Sequence, residues 1–461
     1  MPKTTRPNLL FILADQWRSS ALGCLGQDPV LTPHLDDLAA ESVLLTNAVS
    51  NYPVCSPYRA MLMSGQYPFQ NGVPLNVNSV TAPLGVELRA GVTCWSDVLH
   101  ADGYDLGYVG KWHLDAPIED DAVHGEGPRE DGCVWDAYTP PARRHGFEFW
   151  YSHGCSDDHL RPHYWTGNAP REAPTRVEAW SPEHETDVAV DFLHGAGERY
   201  RDDGTSFALM MSYNPPHQPF DTVPARYLDK YRHLAAEDLL VRPNVRWGSL
   251  EADEAATIAP QYFAAMTGVD AQIGRLLATL DAEGLADDTI VVFTSDHGMQ
   301  LGSQGLIYKN VWYDESLLVP FLLRWPGRVP ARADDLLLGA PDVAPTLLGL
   351  LGADVPDEMQ GRNLADALRG ERSDRPDRAV YLRPAAEAEN TPEDVRGLRT
   401  HDRMLVVQRA ADGSETVHLF DLVRDPYQNE DVAAQRPDEV AALRTALNEE
   451  LSRCNDPWVR T

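Results

Sequence analysis

A cysteine and an arginine four residues apart are the first candidates for chemistry in this sequence. Cys55 and Arg59 bracket a Ser-Pro-Tyr segment. Ser56 is a suitable N-cap and Pro57 suits a first helical turn, so we predict a helix over residues 57–64. Cys55 would then lie at the positive end of the helix dipole, where free N–H groups and Arg59 can hold an anion or lower a thiol pKa. The alternative is a buried, inert cysteine.

Other ionisable or amide side chains follow short apolar runs in the chain. The runs are residues 9–14, 106–110, 206–211 and 290–295, and the groups after them are Asp15 and Gln16, Lys111 and His113, His217, and Asp296 and His297. Continuous apolar character is typical of strands buried on both faces. Ligands of open α/β sheets bind beyond the carboxyl ends of parallel strands. We therefore expect these groups to lie along one edge of one sheet.

Four of these residues form a candidate metal site. Asp15 and Gln16 end one apolar run, and Asp296 and His297 end another. Carboxylate and amide oxygens favour a hard divalent cation, and loose coordination favours calcium over magnesium. The pattern predicts one such ion.

The passage around Cys55 resembles the nucleophile motif of the type I sulfatases, which are members of the alkaline-phosphatase superfamily. Further segments match motifs of that family in the same order, namely residues 15–16, 110–114, 216–219, 296–298 and 305–309. The resemblance covers residues 8 to about 365 and, more weakly, the C-terminal portion through residue 426. Gln16 departs from the aspartate that is commoner in the family at its position.

The resemblance implies a sulfuric ester hydrolase with one bound Ca²⁺, for which Mg²⁺ is the alternative. A formylglycine-generating enzyme would oxidise Cys55 to formylglycine, whose hydrate attacks sulfur. Arg59 would stabilise that nucleophile. The sulfate would be held by Lys111, His113 and Lys309, and His217 would protonate the departing alcohol.

The pattern of elements predicts an α/β fold. Apolar runs alternate with helical segments such as residues 33–41, 261–283 and 341–351. With the resemblance, this indicates an alkaline-phosphatase-like α/β/α sandwich with a large, mostly parallel central sheet.

A Gly/Arg/Asp/Pro-rich linker around residues 368–378 separates two predicted parts. These are a catalytic domain at residues 1–370 and a C-terminal α+β subdomain at residues 371–461. The subdomain would combine a small antiparallel sheet with a helix over residues 437–453.

The net charge of −31 argues against nucleic-acid or anionic-membrane partners, since both require basic surfaces. A sulfated substrate must then meet a locally positive pocket. The apolar run at residues 9–14 is too short for a signal-peptide core, and no stretch is long enough to span a bilayer. These features predict a cytoplasmic protein. Its six scattered cysteines do not suggest a disulfide framework, and its oligomeric state is open.

The substrate is predicted to be small and sulfated, with a carbohydrate favoured by an aromatic-rich segment that could line a rim. Its members are Trp150, Tyr151, His153, Cys155, Asp157, Asp158, His159, His163, Tyr164 and Trp165. The same residues could instead be a loop with core anchors. Two rival functions are a phosphonate monoester or phosphodiester hydrolase of the same superfamily, and an inactive sulfatase-like protein that binds carbohydrate.

Overall fold

The computed structural model describes residues 6–371 and 374–460, which form two β-sheets flanked by helices. The strands of the larger sheet are β1 Asn8–Ala14, β2 Val43–Val49, β3 Asp105–Lys111, β4 Phe149–His153, β5 His163–Thr166, β6 Thr175–Arg176, β7 Phe207–Tyr213, β8 Thr289–Ser295, β9 Phe321–Arg324 and β10 Arg332–Gly339. The smaller sheet comprises β11 Arg378–Arg383, β12 Asp394–Thr400, β13 Arg403–Arg409 and β14 Glu415–Asp421.

The helices lie on both sides of the larger sheet or connect its strands. They are α1 Pro33–Ala40, α2 Cys55–Ser64, α3 Pro68–Asn71, α4 Trp95–Ala101, α5 Asp121–His124, α6 Ser181–Asp203, α7 Ala225–Leu228, α8 Ala236–Leu239, α9 Leu250–Ala282, α10 Asp314–Leu317, α11 Ala340–Leu351, α12 Ala365–Leu368 and α13 Pro437–Arg453. Among the described helices, none combines the length and apolar character needed to cross a membrane.

The ten-stranded sheet is mostly parallel, as predicted. Its strand order is β10-β2-β9-β8-β1-β7-β3-β4-β5-β6. Strands β8, β1, β7, β3 and β4 pair in parallel, whereas β9 runs antiparallel to both of its neighbours. The four apolar runs that predicted buried strands form β1, β3, β7 and β8, so these predictions are confirmed. Their carboxyl ends share one edge of the sheet.

The sheet is covered on both faces, which confirms the α/β/α sandwich. All seven residues of β1 are buried. Leu9, Phe11 and Leu13 join one hydrophobic cluster, and the alternate residues Leu10 and Ile12 join another. Successive side chains of a strand point to opposite faces. Each face therefore packs against its own helical layer, with α2 and α11 on one side and α6 and α9 on the other.

The smaller sheet is antiparallel throughout, with strand order β11-β12-β13-β14. Its Val380 and Leu398, together with Leu451 of α13, belong to the same hydrophobic cluster as Tyr58 of α2. The C-terminal part thus shares core packing with the larger sheet. The proposed domain boundary at residue 370 stays a prediction.

Two helix starts differ from those predicted. Helix α2 begins at Cys55 with Val54 as the N-cap. Ser56 does not cap it, because its hydroxyl accepts a hydrogen bond from the Val77 N–H at 3.1 Å. Helix α9 begins at Leu250 rather than near residue 261, since Ser249 caps its start and the helix continues through Pro260.

Candidate active site

The ten candidate site residues converge at the carboxyl edge of the larger sheet. They arise after β1 (Asp15 and Gln16), at the start of α2 (Cys55 and Arg59), at the end of β3 (Lys111 and His113), after β7 (His217), after β8 (Asp296 and His297) and in the loop before α10 (Lys309). All are buried except Lys309, which is partly exposed.

The Cys55 thiol is surrounded by charged and ionisable side chains. Its Sγ atom lies 3.3 Å from His297 Nε2, 3.6 Å from Asp15 Oδ1 and 3.5 Å from Lys309 Nζ. Burial and Asp15 oppose ionisation of the thiol, but Lys309, Lys111 and His297 outweigh them and lower its pKa well below the usual value. These contacts favour a reactive thiol over the inert-cysteine alternative.

Arg59 bridges the carboxyl ends of four strands, β1, β3, β7 and β8. Its guanidinium donates to Asp296 Oδ2 at 3.2 Å and to Asp15 Oδ2 at 3.2 Å. It also donates to the Lys111 carbonyl at 2.9 Å and to Ser212 Oγ at 2.8 Å. The fixed fork of donors suits this bridging role better than a single ammonium group would.

Lys111 is a fully buried cation at the end of β3. Its ammonium donates to Asp15 Oδ2 at 2.7 Å and to Asn214 Oδ1 at 3.1 Å. Burial opposes its charge, but Asp15 more than offsets this effect and raises the Lys111 pKa. Its contacts with Asp15 therefore favour the cationic form of Lys111.

Two carboxylates and an imidazole face one another beside Cys55. His297 Nε2 lies 3.4 Å from Asp15 Oδ1 and 3.5 Å from Asp296 Oδ1. The ligand atoms of Asp15, Cys55, Asp296 and His297 all lie within 4.8 Å of one another. Burial and the charge of Asp15 raise the Asp296 pKa, a repulsion that a cation between the carboxylates would relieve.

The orientation of His297 also fits a metal ligand. Its Nδ1 lies 3.0 Å from the Gly298 carbonyl, and such a bond places the proton on Nδ1 and the lone pair on Nε2. The donor set thus suits a divalent cation.

Gln16 links the metal candidates to Lys309. The backbone of Gln16 is in the left-handed region at φ 68°. Its amide oxygen accepts from Lys309 Nζ at 3.0 Å, and its amide nitrogen donates to Gln218 Oε1 at 3.1 Å. Gln16 therefore orients Lys309, and its backbone N–H donates to Asp296 Oδ1 at 3.1 Å.

The two remaining histidines flank this centre. Burial opposes protonation of His113, but the neighbouring Cys155 sulfur raises its pKa to about 8. His217 lies with Nδ1 2.8 Å from the Gln218 carbonyl and 3.5 Å from Asp157 Oδ1. Burial opposes protonation of His217 too, yet the carboxylates of Asp15 and Asp157 raise its pKa. Both imidazoles are thus biased towards their cationic form.

Sequence reasoning did not single out Asn214 or Ser212. Asn214 accepts from Lys111 and donates to the Ser156 carbonyl at 2.6 Å, so it joins the site to the loop after β4. Its position directly after β7, at the same sheet edge as the other groups, was the available signal. Ser212 lies within β7, and its contacts with Arg59 and with the Lys111 carbonyl reveal it.

The aromatic-rich segment was predicted to be either a substrate rim or a loop with core anchors, and its residues divide between these two interpretations. Trp150, Tyr164 and Trp165 are core anchors with at most 2% of their surface exposed, so they offer no stacking face. Asp157 lies beside His217, on the other hand, and borders the site. The rim interpretation is therefore wrong for these three aromatic rings.

Comparisons with known proteins identify the family. The sulfatase family model matches residues 7–353, and the model of the N-sulphoglucosamine sulphohydrolase C-terminal region matches residues 302–456. An endo-4-O-sulfatase of Bacteroides thetaiotaomicron is 38% identical, covering 98% of this chain and 93% of that protein. An ulvan-active sulfatase of Formosa agariphila is 34% identical, covering 98% of this chain and 83% of its own.

A solved structure supports the same family. A Bacteroides fragilis protein assigned as the sulfatase yidJ superposes with a TM-score of 0.92 at 39% identity, covering 100% of this chain and 98% of that one. The fold and the matches together define a sulfuric ester hydrolase with an alkaline-phosphatase-like architecture. The chain belongs to the sulfatase family.

Proposed function

We propose that this sulfatase removes sulfate from a sulfated carbohydrate, with residue 55 as formylglycine and one hard cation, Ca²⁺ or Mg²⁺. The observation that carries the chemistry is the placement of Cys55 between His297, Asp15 and Lys309 at the start of α2. The carbohydrate substrate is supported by the named activities of the endo-4-O-sulfatase and ulvan-active sulfatase relatives.

Each role follows from a position in the site. Asp15, Asp296 and His297 would hold the cation, with Gln16 as a further oxygen ligand. The cation would polarise a sulfate oxygen and favour the ionised nucleophile. A formylglycine-generating enzyme would make formylglycine from Cys55. One hydroxyl of its hydrate would attack sulfur as the bond from sulfur to the alcohol oxygen breaks. The second hydroxyl would then lose its proton and re-form the aldehyde, which breaks the C–O bond to the sulfate and releases it.

The remaining side chains bind charge and move one proton. Lys111 and Lys309, with His113, would hold the sulfate oxygens as charge develops on them. His217 would donate a proton to the alcohol oxygen as its bond to sulfur breaks. The carboxylates of Asp15 and Asp157 raise the pKa of His217, which favours the protonated form that a proton donor needs.

The test is release of inorganic sulfate from a panel of sulfated monosaccharides, with nitrophenyl sulfate and a phenyl phosphonate monoester for comparison. We expect at least one sulfated sugar to be the best substrate by kcat/KM. The Asp296→Asn variant tests the metal site. It should lose bound metal and sulfate release together, because one negative charge of a small ligand set is removed. A phosphonate ester as the best substrate would contradict the proposal, and no turnover by the wild type would favour the inactive rival.

A further inference from the structure

Two exposed aromatic rings lie in neighbouring loops beside the active site. Among the residues that the structure describes, Trp247 and Tyr308 are the only exposed Phe, Tyr or Trp side chains, with 51% and 45% of their surface accessible. Two exposed leucines, Leu250 and Leu306, accompany them. Isolated apolar residues on a surface need no explanation, whereas neighbouring ones mark binding sites.

The loop before α9 is hydrogen-bonded to the loop at residues 300–308. The Arg246 N–H donates to the Gly302 carbonyl at 3.3 Å, and the Gln304 N–H donates to the Asn244 carbonyl at 2.8 Å. The exposed tryptophan follows directly after the first of these donors. It therefore lies beside the loop that carries the exposed tyrosine.

The tyrosine is held against the same helix that the tryptophan precedes. The Tyr308 hydroxyl donates to Glu254 Oε1 of α9 at 3.3 Å. Leu250 lies four residues before Glu254, so these two side chains share one face of the helix. The exposed rings and leucines therefore border one surface at the start of α9.

This surface continues into the active site through Lys309. The Lys309 ammonium donates to Gln16 Oε1 at 3.0 Å and lies 3.5 Å from Cys55 Sγ. Ile307 is buried like the inward-pointing lysine, whereas Tyr308 between them is exposed. Successive side chains of an extended segment point to opposite sides. A ligand held by Lys309 that extends out of the pocket therefore meets the Tyr308 ring next.

The chemistry of the surface selects a sugar. An aromatic ring offers a flat apolar face, which suits the C–H face of a sugar ring. The exposed charged side chains near the rings, Arg246, Asp253 and Glu254, carry both signs and can donate to and accept from hydroxyl groups. Four apolar side chains also fall well short of the roughly 20–30 residues that each partner contributes to a stable protein interface.

We propose that Trp247 and Tyr308 form a subsite for the sugar unit next to the sulfated one in a longer carbohydrate chain. This inference rests on the proposed carbohydrate function and extends it from one sugar to a chain. With the sulfate ester at Lys309, the adjoining unit would stack on the Tyr308 ring and reach Trp247. Stacking would then favour longer substrates over the sulfated monosaccharide.

The experiment compares Trp247→Ala and Tyr308→Ala with the wild type. The substrates are the best sulfated monosaccharide of the panel and two disaccharides that contain this unit, one extended at each end. We expect kcat/KM for one disaccharide to fall about tenfold in each variant, as for one lost stacking contact. For the monosaccharide, kcat/KM should be unchanged, and so should inhibition by inorganic sulfate, because neither ligand reaches the rings.

Two further variants serve as controls. Tyr308→Phe keeps the ring and removes only the hydroxyl, so its turnover of the disaccharide should stay close to the wild-type value. Leu31→Ala changes a half-exposed apolar residue elsewhere and should leave every constant unchanged. The Leu31 carbonyl accepts from Thr267 Oγ1 at 2.9 Å, and Thr267 lies about 20 Å along α9 from Glu254.

Unchanged turnover of both disaccharides in both alanine variants would overturn the inference while leaving the carbohydrate function intact. An equal loss on the monosaccharide would overturn it as well, because the substitutions would then act through Lys309. A change of oligomeric state in the variants, measured by light scattering, would assign the rings to a contact between subunits instead. If the wild type releases sulfate from none of these sugars, the proposed function and the inference fall together.

Discussion

At the scale of single residues, Asp15 is the hub of the site. It contacts the cations Arg59 and Lys111 and lies beside the thiol of Cys55 and the imidazole of His297. Burial opposes its ionisation, but Lys111 in particular outweighs that effect and keeps the Asp15 pKa well below its usual range. A buried carboxylate without such partners would be costly. The ionised form of Asp15 therefore depends on the presence of both Arg59 and Lys111.

Lys111→Met tests that dependence. Without the Lys111 ammonium, Arg59 is the one Lys or Arg side chain among the described residues that still forms a salt bridge with Asp15. The substitution also removes a contact to the sulfate in the proposed mechanism. We expect turnover of a sulfate ester to fall on the order of a hundredfold or more. Steady-state kinetics measure the loss.

A matched control is available because the chain has only four lysines. Lys230→Met changes an exposed lysine in the loop after α7 and should leave turnover unchanged. Equal turnover in the Lys111 and Lys230 variants would remove Lys111 from the proposed mechanism.

At the scale of elements, close contact between β3 and β7 positions the Lys111 ammonium. Gly110 adopts φ 102°, and a Cβ atom there would lie 2.1 Å from the Ser212 carbonyl oxygen. Only glycine permits this approach. The glycine thus turns the end of β3 so that Lys111 reaches Asp15 and Asn214.

Helix α6 carries a buried acid that makes stability depend on pH. Glu185 accepts from the Tyr164 hydroxyl at 3.0 Å, and burial raises its pKa to about 8. The folded protein therefore keeps a proton that the unfolded chain releases above its ordinary pKa of 4.5. The contribution of Glu185 to the free energy of unfolding should be largest below about pH 4.5 and should decline as the pH rises towards 8.

Glu185→Gln should remove this decline, which is on the order of a few kcal/mol. Urea unfolding between pH 5 and 9 gives the free energy of each variant, and the difference from wild type is compared across pH. Glu198→Gln, on the exposed face of the same helix, is the control and should keep the wild-type profile. Parallel profiles for wild type and Glu185→Gln would show that Glu185 does not hold its proton.

The elements also show what the sequence could and could not predict. Strands β1, β3, β7 and β8 were predictable because they are continuously apolar. Strand β12 could not be predicted from the local sequence, because Arg396 and Arg399 interrupt its apolar pattern. Both arginines are nonetheless buried, since Arg396 pairs with Asp456 and Arg399 with Asp314. Such pairing joins distant parts of the chain and leaves no local signal.

At the scale of the whole molecule, a net charge of −31 coexists with a cationic site. Three buried or partly buried cations, Arg59, Lys111 and Lys309, face the carboxylates of Asp15 and Asp296. Composition alone therefore could not locate the pocket, whereas the strand-end pattern and the family resemblance placed all ten candidates at one edge.

Sulfate release should depend on formylglycine at residue 55. The direct measurement compares preparations that differ in maturation, using mass analysis of the peptide carrying residue 55 alongside the rate of sulfate release. Formylglycine has one oxygen in place of the cysteine sulfur and two fewer hydrogens. We expect a rate proportional to the fraction of molecules carrying formylglycine, with none from fully unmodified protein. Full activity in protein that carries only unmodified Cys55 would contradict it.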